Sequence, residues 1–142
     1  MSNTQFAFLK KINIPSRESL QSSIDSLGFK LTLHPDLNLL EDCGFSPCIF
    51  NGISGSGFEV FCEPTIDLVD DEVLFDIAKE NDICISMVWR SSLKDYACVM
   101  IVSCALTKDF GAVISYEGDP PESFENMLQE TREIVLEAAN EV

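Results

Sequence analysis

Apolar and polar residues alternate in some stretches of this chain and recur at helical spacing in others, and the switches between the two periods divide it into elements. A short strand is predicted around Phe6–Leu9. Ile14-Pro15-Ser16 then sets up a helix with Ser16 as N-cap, Leu20, Ile24 and Leu27 on one face, and Gly28 closing it. Phe29–Leu33 alternates, as a half-buried strand does. His34–Ser46 carries Pro35, Asp36, Asn38, Asp42 and Gly44 and reads as a long loop. Cys48–Phe50 and Phe58–Cys62 flank Asn51–Gly57, which predicts a β-hairpin over about 48–62 with a mobile, glycine-rich connection. Pro64 stops its second strand.

Asp70–Asn81 reads as a short acidic helix with Val73, Leu74, Ile77 and Ala78 inward. Ile83–Trp89 is apolar on both faces for part of its length, the mark of a central strand. Ser92-Leu93-Lys94-Asp95 is a helix start and Gly111 a stop, bracketing a helix over about 92–110. Tyr96–Leu106 is apolar nearly all round, so this helix must be covered on most sides. Ala112–Tyr116 is a further strand, and Pro120-Pro121 is expected to open the last helix. There Phe124, Met127, Leu128, Thr131, Val135, Ala138 and Val142 share one stripe, with Glu130, Glu133, Glu137 and Glu141 opposite. No repeat or linker interrupts the pattern. The expected fold is α+β: one domain over 1–142, a mixed sheet packed by helices, with a C-terminal β-α-β-α unit over about 83–142. Strands 83–89 and 112–116 make its strand–helix–strand part, right-handed if they are parallel neighbours.

Composition agrees with a packed core: 46% of the 142 residues are hydrophobic, ten of them Phe. Charge adds more. Nine basic residues against 24 acidic ones give −15. Residues 1–60 hold four Lys/Arg and six Asp/Glu, a balance of −2, whereas residues 61–142 hold five and eighteen, a balance of −13. A nucleic-acid or anionic-membrane binder needs the opposite sign, so neither is expected as a partner. An acidic surface instead attracts basic proteins and speeds their association, besides conferring solubility. Met1–Lys11 lacks the features of a secretory leader, and the longest apolar stretch falls short of the roughly 20 residues of a membrane span. Four of the six cysteines sit inside apolar strand- or helix-like segments, as free thiols do in a reducing compartment. The expected location is the cytoplasm.

Candidate chemistry is sparse. His34 is the sole histidine, in a turn-like Leu-His-Pro-Asp context, with no third group positioned to activate a cysteine. Cys43 and Cys48 have no second closely spaced pair to complete a zinc site. The acids at 67, 70, 71, 72 and 76 lack the ligand order of a calcium loop and suit a solvated helix start. Gly52–Gly57 lacks the Lys-Ser/Thr ending of a phosphate loop. No carboxylate pair sits where burial with a partner is predicted. Trp89-Arg90 reads as a core aromatic beside a charged rim residue, or as an anchor for a partner. The sequence thus predicts a protein that is not an enzyme, with no catalytic residues, cofactor or metal.

The pattern Leu27-Gly28-Phe29-x-Leu31-x-Leu33, Cys43-Gly44-Phe45-x-Pro47-Cys48 and Ser56-Gly57-Phe58-Glu59 resembles small bacterial proteins encoded beside polymorphic toxins. Ile83–Arg90, Asp95-Tyr96-Ala97-Cys98 and Gly111-Ala112-Val113 extend the resemblance over about residues 25–116. Those proteins look like the immunity proteins of contact-dependent growth inhibition and Rhs systems. The resemblance rests on Gly, Phe and core positions and transfers no catalytic residue. It implies a cognate toxin as partner, often a nuclease and therefore basic, neutralised by an acidic surface. Candidate contact residues fall into two groups. Asp67, Asp70, Asp71, Glu72 and Asp76 form the first, and Glu117, Asp119, Glu122 and Glu125 the second. Parallel strands at 83–89 and 112–116 would put the groups at opposite ends of the sheet, so that only one faces the toxin. An adaptor or chaperone for a secreted effector is the alternative, followed by an enzyme using Cys or carboxylates.

Overall fold

The computed structural model describes residues 2–67, 76 and 79–140. Six strands, β1 (Asn3–Leu9), β2 (Leu31–Leu33), β3 (Gly44–Phe50), β4 (Ile53–Pro64), β5 (Ile83–Trp89) and β6 (Val113–Tyr116), form one sheet in the order β2-β3-β4-β5-β1-β6. Three helices, α1 (Arg17–Ser26), α2 (Leu93–Phe110) and α3 (Phe124–Ala139), occur with them among the described residues. The fold is α+β. Every neighbouring pair of strands is antiparallel, so the sheet is not mixed at the level of its ladders. β5 and β6 do run parallel, but they are not neighbours. β1 lies between them, antiparallel to both. The N-terminal strand, longer than its apolar part suggests, thus splits the strand–helix–strand unit.

Alternation sets which side chains meet the helices. Ala7 and Leu9 from β1, Phe58 and Val60 from β4, and Ile83, Ile85, Met87 and Trp89 from β5 share one core with α2. Ten consecutive residues of α2, Ala97–Leu106, are buried, because α2 packs on the sheet and is flanked by α1 and α3. On the opposite face Phe8 and Cys84 form a second, smaller cluster with Phe6 and Val113.

Serine caps start all three helices. Ser16, Ser92 and Ser123 accept from the backbone N–H three residues on. The last helix begins at Phe124, three residues past Pro121, where the Ser123 side chain caps the Asn126 N–H, and is not opened by Pro120-Pro121. Gly111 (φ 73) ends α2 in the left-handed region. Replacing Ser92 by Ala should cost about 1 kcal/mol in urea unfolding, the usual worth of such a cap. An unchanged midpoint would show that the cap contributes nothing.

The hairpin differs from expectation in its connection. Asn51 (φ 52) and Gly52 (φ 78) make a two-residue turn, and residues 53–57 belong to β4. Both central residues have positive φ, the backbone that Asn-Gly favours and that matches strand twist. Gly55 and Gly57 lie inside the ladder, so the mobile loop expected over 51–57 is absent. Residues 70–78, most of the expected acidic helix, lie outside the described residues except Asp76.

Candidate functional site

Three strands end together beside the first turns of α2. Asn3 pairs with Trp89 across β1 and β5, and Gln5 pairs with Tyr116 across β1 and β6. Tyr96 and Met100, one helical turn apart on α2, face the same place, and α3 closes it with Met127 and Glu130. Between them is a surface cleft of ≈ 520 Å³.

Its wall is aromatic. The Trp89 and Tyr96 rings stack with centroids 4.8 Å apart at 14°. Tyr116 tilts against Trp89 at 6.0 Å, and its hydroxyl donates to Asn3 Oδ1 at 3.0 Å. Trp89 is buried, Tyr96 half-buried and Tyr116 exposed.

Gln5 forms part of the lining and is only 3% exposed. Its Nε2 donates to Ser103 Oγ at 2.7 Å. Ser103 Oγ gives its own proton to the Val99 carbonyl at 2.8 Å, so it can only accept from Gln5. That fixes the amide orientation. Oε1 therefore points away from Ser103, and among the described residues nothing donates to it.

The rim is acidic. Asp119, Glu122 and Glu130 line the cleft, and no Lys or Arg does so among the described residues. The Glu130 carboxyl is pushed above its ordinary value, by desolvation first, then by its hydrogen bond with Glu122 and by repulsion from Glu122 and Glu133. The Tyr96 phenol is also raised, by burial first and then by Glu130, Tyr116 and Glu122. A carboxyl whose folded value is raised binds its proton more tightly in the fold than in the unfolded chain. Stability is then lost as pH rises through that value and regained as pH falls. Glu130→Gln should therefore raise Tm slightly at neutral pH and leave it unchanged in acid below the Glu range. A drop at neutral pH would contradict the repulsion.

Of the first predicted acidic group, Asp67 lies at the end of the sheet opposite Tyr116. Asp67 ends a single turn that follows β4, and Thr65 N–H bonds the Asp82 carbonyl next to Ile83. Asp76 is exposed and pairs with Lys79 at 3.6 Å. Asp70, Asp71 and Glu72 lie outside the described residues. At the other end, the structure brings Asp119 and Glu122 into the cleft. Glu117 instead accepts from Thr4 N–H at 2.7 Å and sits in a tight turn with φ 54. Glu125 is exposed in the first turn of α3, where a carboxylate suits the helix dipole. Sequence reasoning missed Asn3, Gln5, Tyr96, Tyr116 and Glu130. Gln5 had a signal: it shares strand parity with Ala7 and Leu9, a polar residue at a core-facing position. Glu130 stood in the row of solvent-facing carboxylates, and only the packing of α3 turns it over the cleft.

A shallower depression of ≈ 270 Å³ brings His34 and Cys43 together with Asp36 and Asp42. His34 Nδ1 accepts from Asp36 N–H at 3.1 Å, which puts the neutral ring's proton on Nε2. The buried cysteines are poor nucleophiles. Burial pushes Cys84 up to about 12 and Cys104 up to about 11, and Cys98 is raised by its hydrogen bond with Cys48 and then by burial. All six cysteines are free. Among the described residues no helix is long and apolar enough to cross a membrane, and no three His, Cys, Asp or Glu side chains converge as metal ligands.

Comparison with family models, with curated proteins and with solved structures finds no match in any of the three. The reading of the cleft rests on its own chemistry. It offers hydrogen-bond acceptors, negative charge and π surface, the complement of a cation.

Proposed function

We propose that this chain is an immunity protein, a cytoplasmic, non-catalytic binder that neutralises a basic toxin domain through its acidic surface. The observation that carries this reading is the cleft itself, where Asp119, Glu122 and Glu130 meet around aromatic rings in a chain of net charge −15. The toxin-facing end is then the end at Tyr116, and Asp67 lies away from it. Nucleases hold phosphate with Lys and Arg, so their active surfaces present the charge this end complements. Occupying that surface denies it to substrate without any reaction.

The test is to mix the purified protein with the toxin domain encoded beside it, at low salt, and to measure complex formation and residual toxin activity. A stoichiometric complex with activity lost is the expected result. No complex at low salt would overturn the reading, and a complex with full toxin activity would make the protein an adaptor instead.

A further inference from the structure

We propose that the cleft seats one arginine side chain of the basic partner, its guanidinium lying against Tyr96 and Tyr116 and bridging Glu122, Glu130 and the Gln5 Oε1. The proposal rests on the function proposed above and narrows it from a charged surface to a single anchor.

Three independent features select that occupant. The first is Gln5, a nearly buried amide whose orientation Ser103 fixes, leaving a carbonyl oxygen on the cleft wall that only a donor can satisfy. That oxygen is open to the cleft, where a ligand N–H can take the place of water. The second is the pair of exposed carboxylates on the cleft lining, Glu122 from the segment before α3 and Glu130 from its second turn, with no basic side chain beside them among the described lining residues. Two like charges placed together favour a cation between them. The third is the aromatic wall. Its rings are held in place, Tyr96 by stacking on Trp89 and Tyr116 by its bond to Asn3, so a flat cation meets a prepared surface. Arginine meets all three conditions together. Its planar fork stacks on rings and bonds carboxylates in two places, whereas the lysine ammonium is a strongly hydrated point charge. A volume of ≈ 520 Å³ lies within the range of sites that take small ligands, about 300–1,000 Å³.

Trp89 is the only tryptophan, so its fluorescence reports on the cleft directly. The experiment titrates the full chain with N-acetylarginine amide, with the neutral isostere N-acetylcitrulline amide as control. A saturable change in the millimolar range for the arginine derivative alone is expected. It should weaken at least tenfold in Glu122→Gln/Glu130→Gln, which keeps the shape and removes the charge. The same double variant and Tyr116→Leu, with circular dichroism to show that they fold, should weaken the complex with the neighbouring toxin domain. An equal response to both derivatives, no saturable change, or a response that ignores the double variant would overturn the proposal. A toxin complex of unchanged affinity in both variants would also overturn it, while leaving the immunity function standing. An arginine response without any toxin complex would overturn the partner and leave a site for a free guanidinium compound.

Discussion

Glu122→Lys/Glu130→Lys should bind the basic partner about a hundredfold more weakly than the parent, because like charges set against each other cost several kcal/mol. The effect follows from position more than from net charge. Both residues line the cleft and both are exposed, so the substitution changes the potential there without opening the core. The two lysines repel each other as the carboxylates did, but they stand among the remaining acids of a chain of net charge −15, so the variant should unfold no earlier than the parent. Asp67→Lys/Asp76→Lys makes the same change in net charge outside the cleft, and its effect on affinity should be several times smaller. Surface plasmon resonance on the three proteins checks this, with most of the loss expected in the association rate. Equal losses in the two double variants would show that only overall charge matters.

Gly57→Val should destabilise the fold by about 3 kcal/mol, the upper part of the usual range for forcing bulk into a packed site. A Cβ at this position would run into the Ser46 carbonyl oxygen, with the Phe45 ring 2.7 Å and Pro47 Cα 2.9 Å away. Two of those three obstacles are backbone of β3, the paired strand, and cannot swing aside like a side chain. Gly57 N–H also donates to Asp95 Oδ1 at 3.0 Å, tying β4 to the first turn of α2. Widening the ladder to admit a side chain strains that link too. Urea unfolding measures the loss. By contrast, Gly55→Ala meets open space and should lose less, its cost coming from φ 105 alone. A Gly57→Val protein as stable as the parent would mean that β3 and β4 do not approach this closely.

The elements with strong periodicity or a clear start signal were legible in the chain. Ser16, Ser92 and Gly111 mark helix ends where the structure has them, and the apolar run of α2, broken only by Ser103, announced a helix covered on most sides. Long-range pairing was not legible. Nothing local in Asn3–Leu9 says that this strand inserts between β5 and β6, because that choice is made by the shapes of the two faces and not by the strand's own residues. The glycines of β4 misled for a physical reason. Glycine serves a loose loop and a close backbone approach equally well, and only the neighbouring strand distinguishes them. Asn51-Gly52 was the better signal, since its two positive φ values name the turn. At the cleft, Asp119 and Glu122 were anticipated from local charge. Gln5, Tyr96 and Glu130 come from three different elements and meet only once the sheet order and the packing of α3 against α2 are known.

The central claim is that negative potential at the Tyr116 end of the sheet, and no reactive group, is what this protein presents to its target. Isothermal titration of the toxin domain into the protein across a series of salt concentrations tests it most directly. The account predicts a stoichiometric complex whose affinity falls steeply as salt rises. An affinity indifferent to salt, or inhibition of the toxin at far below one equivalent of protein, would contradict it.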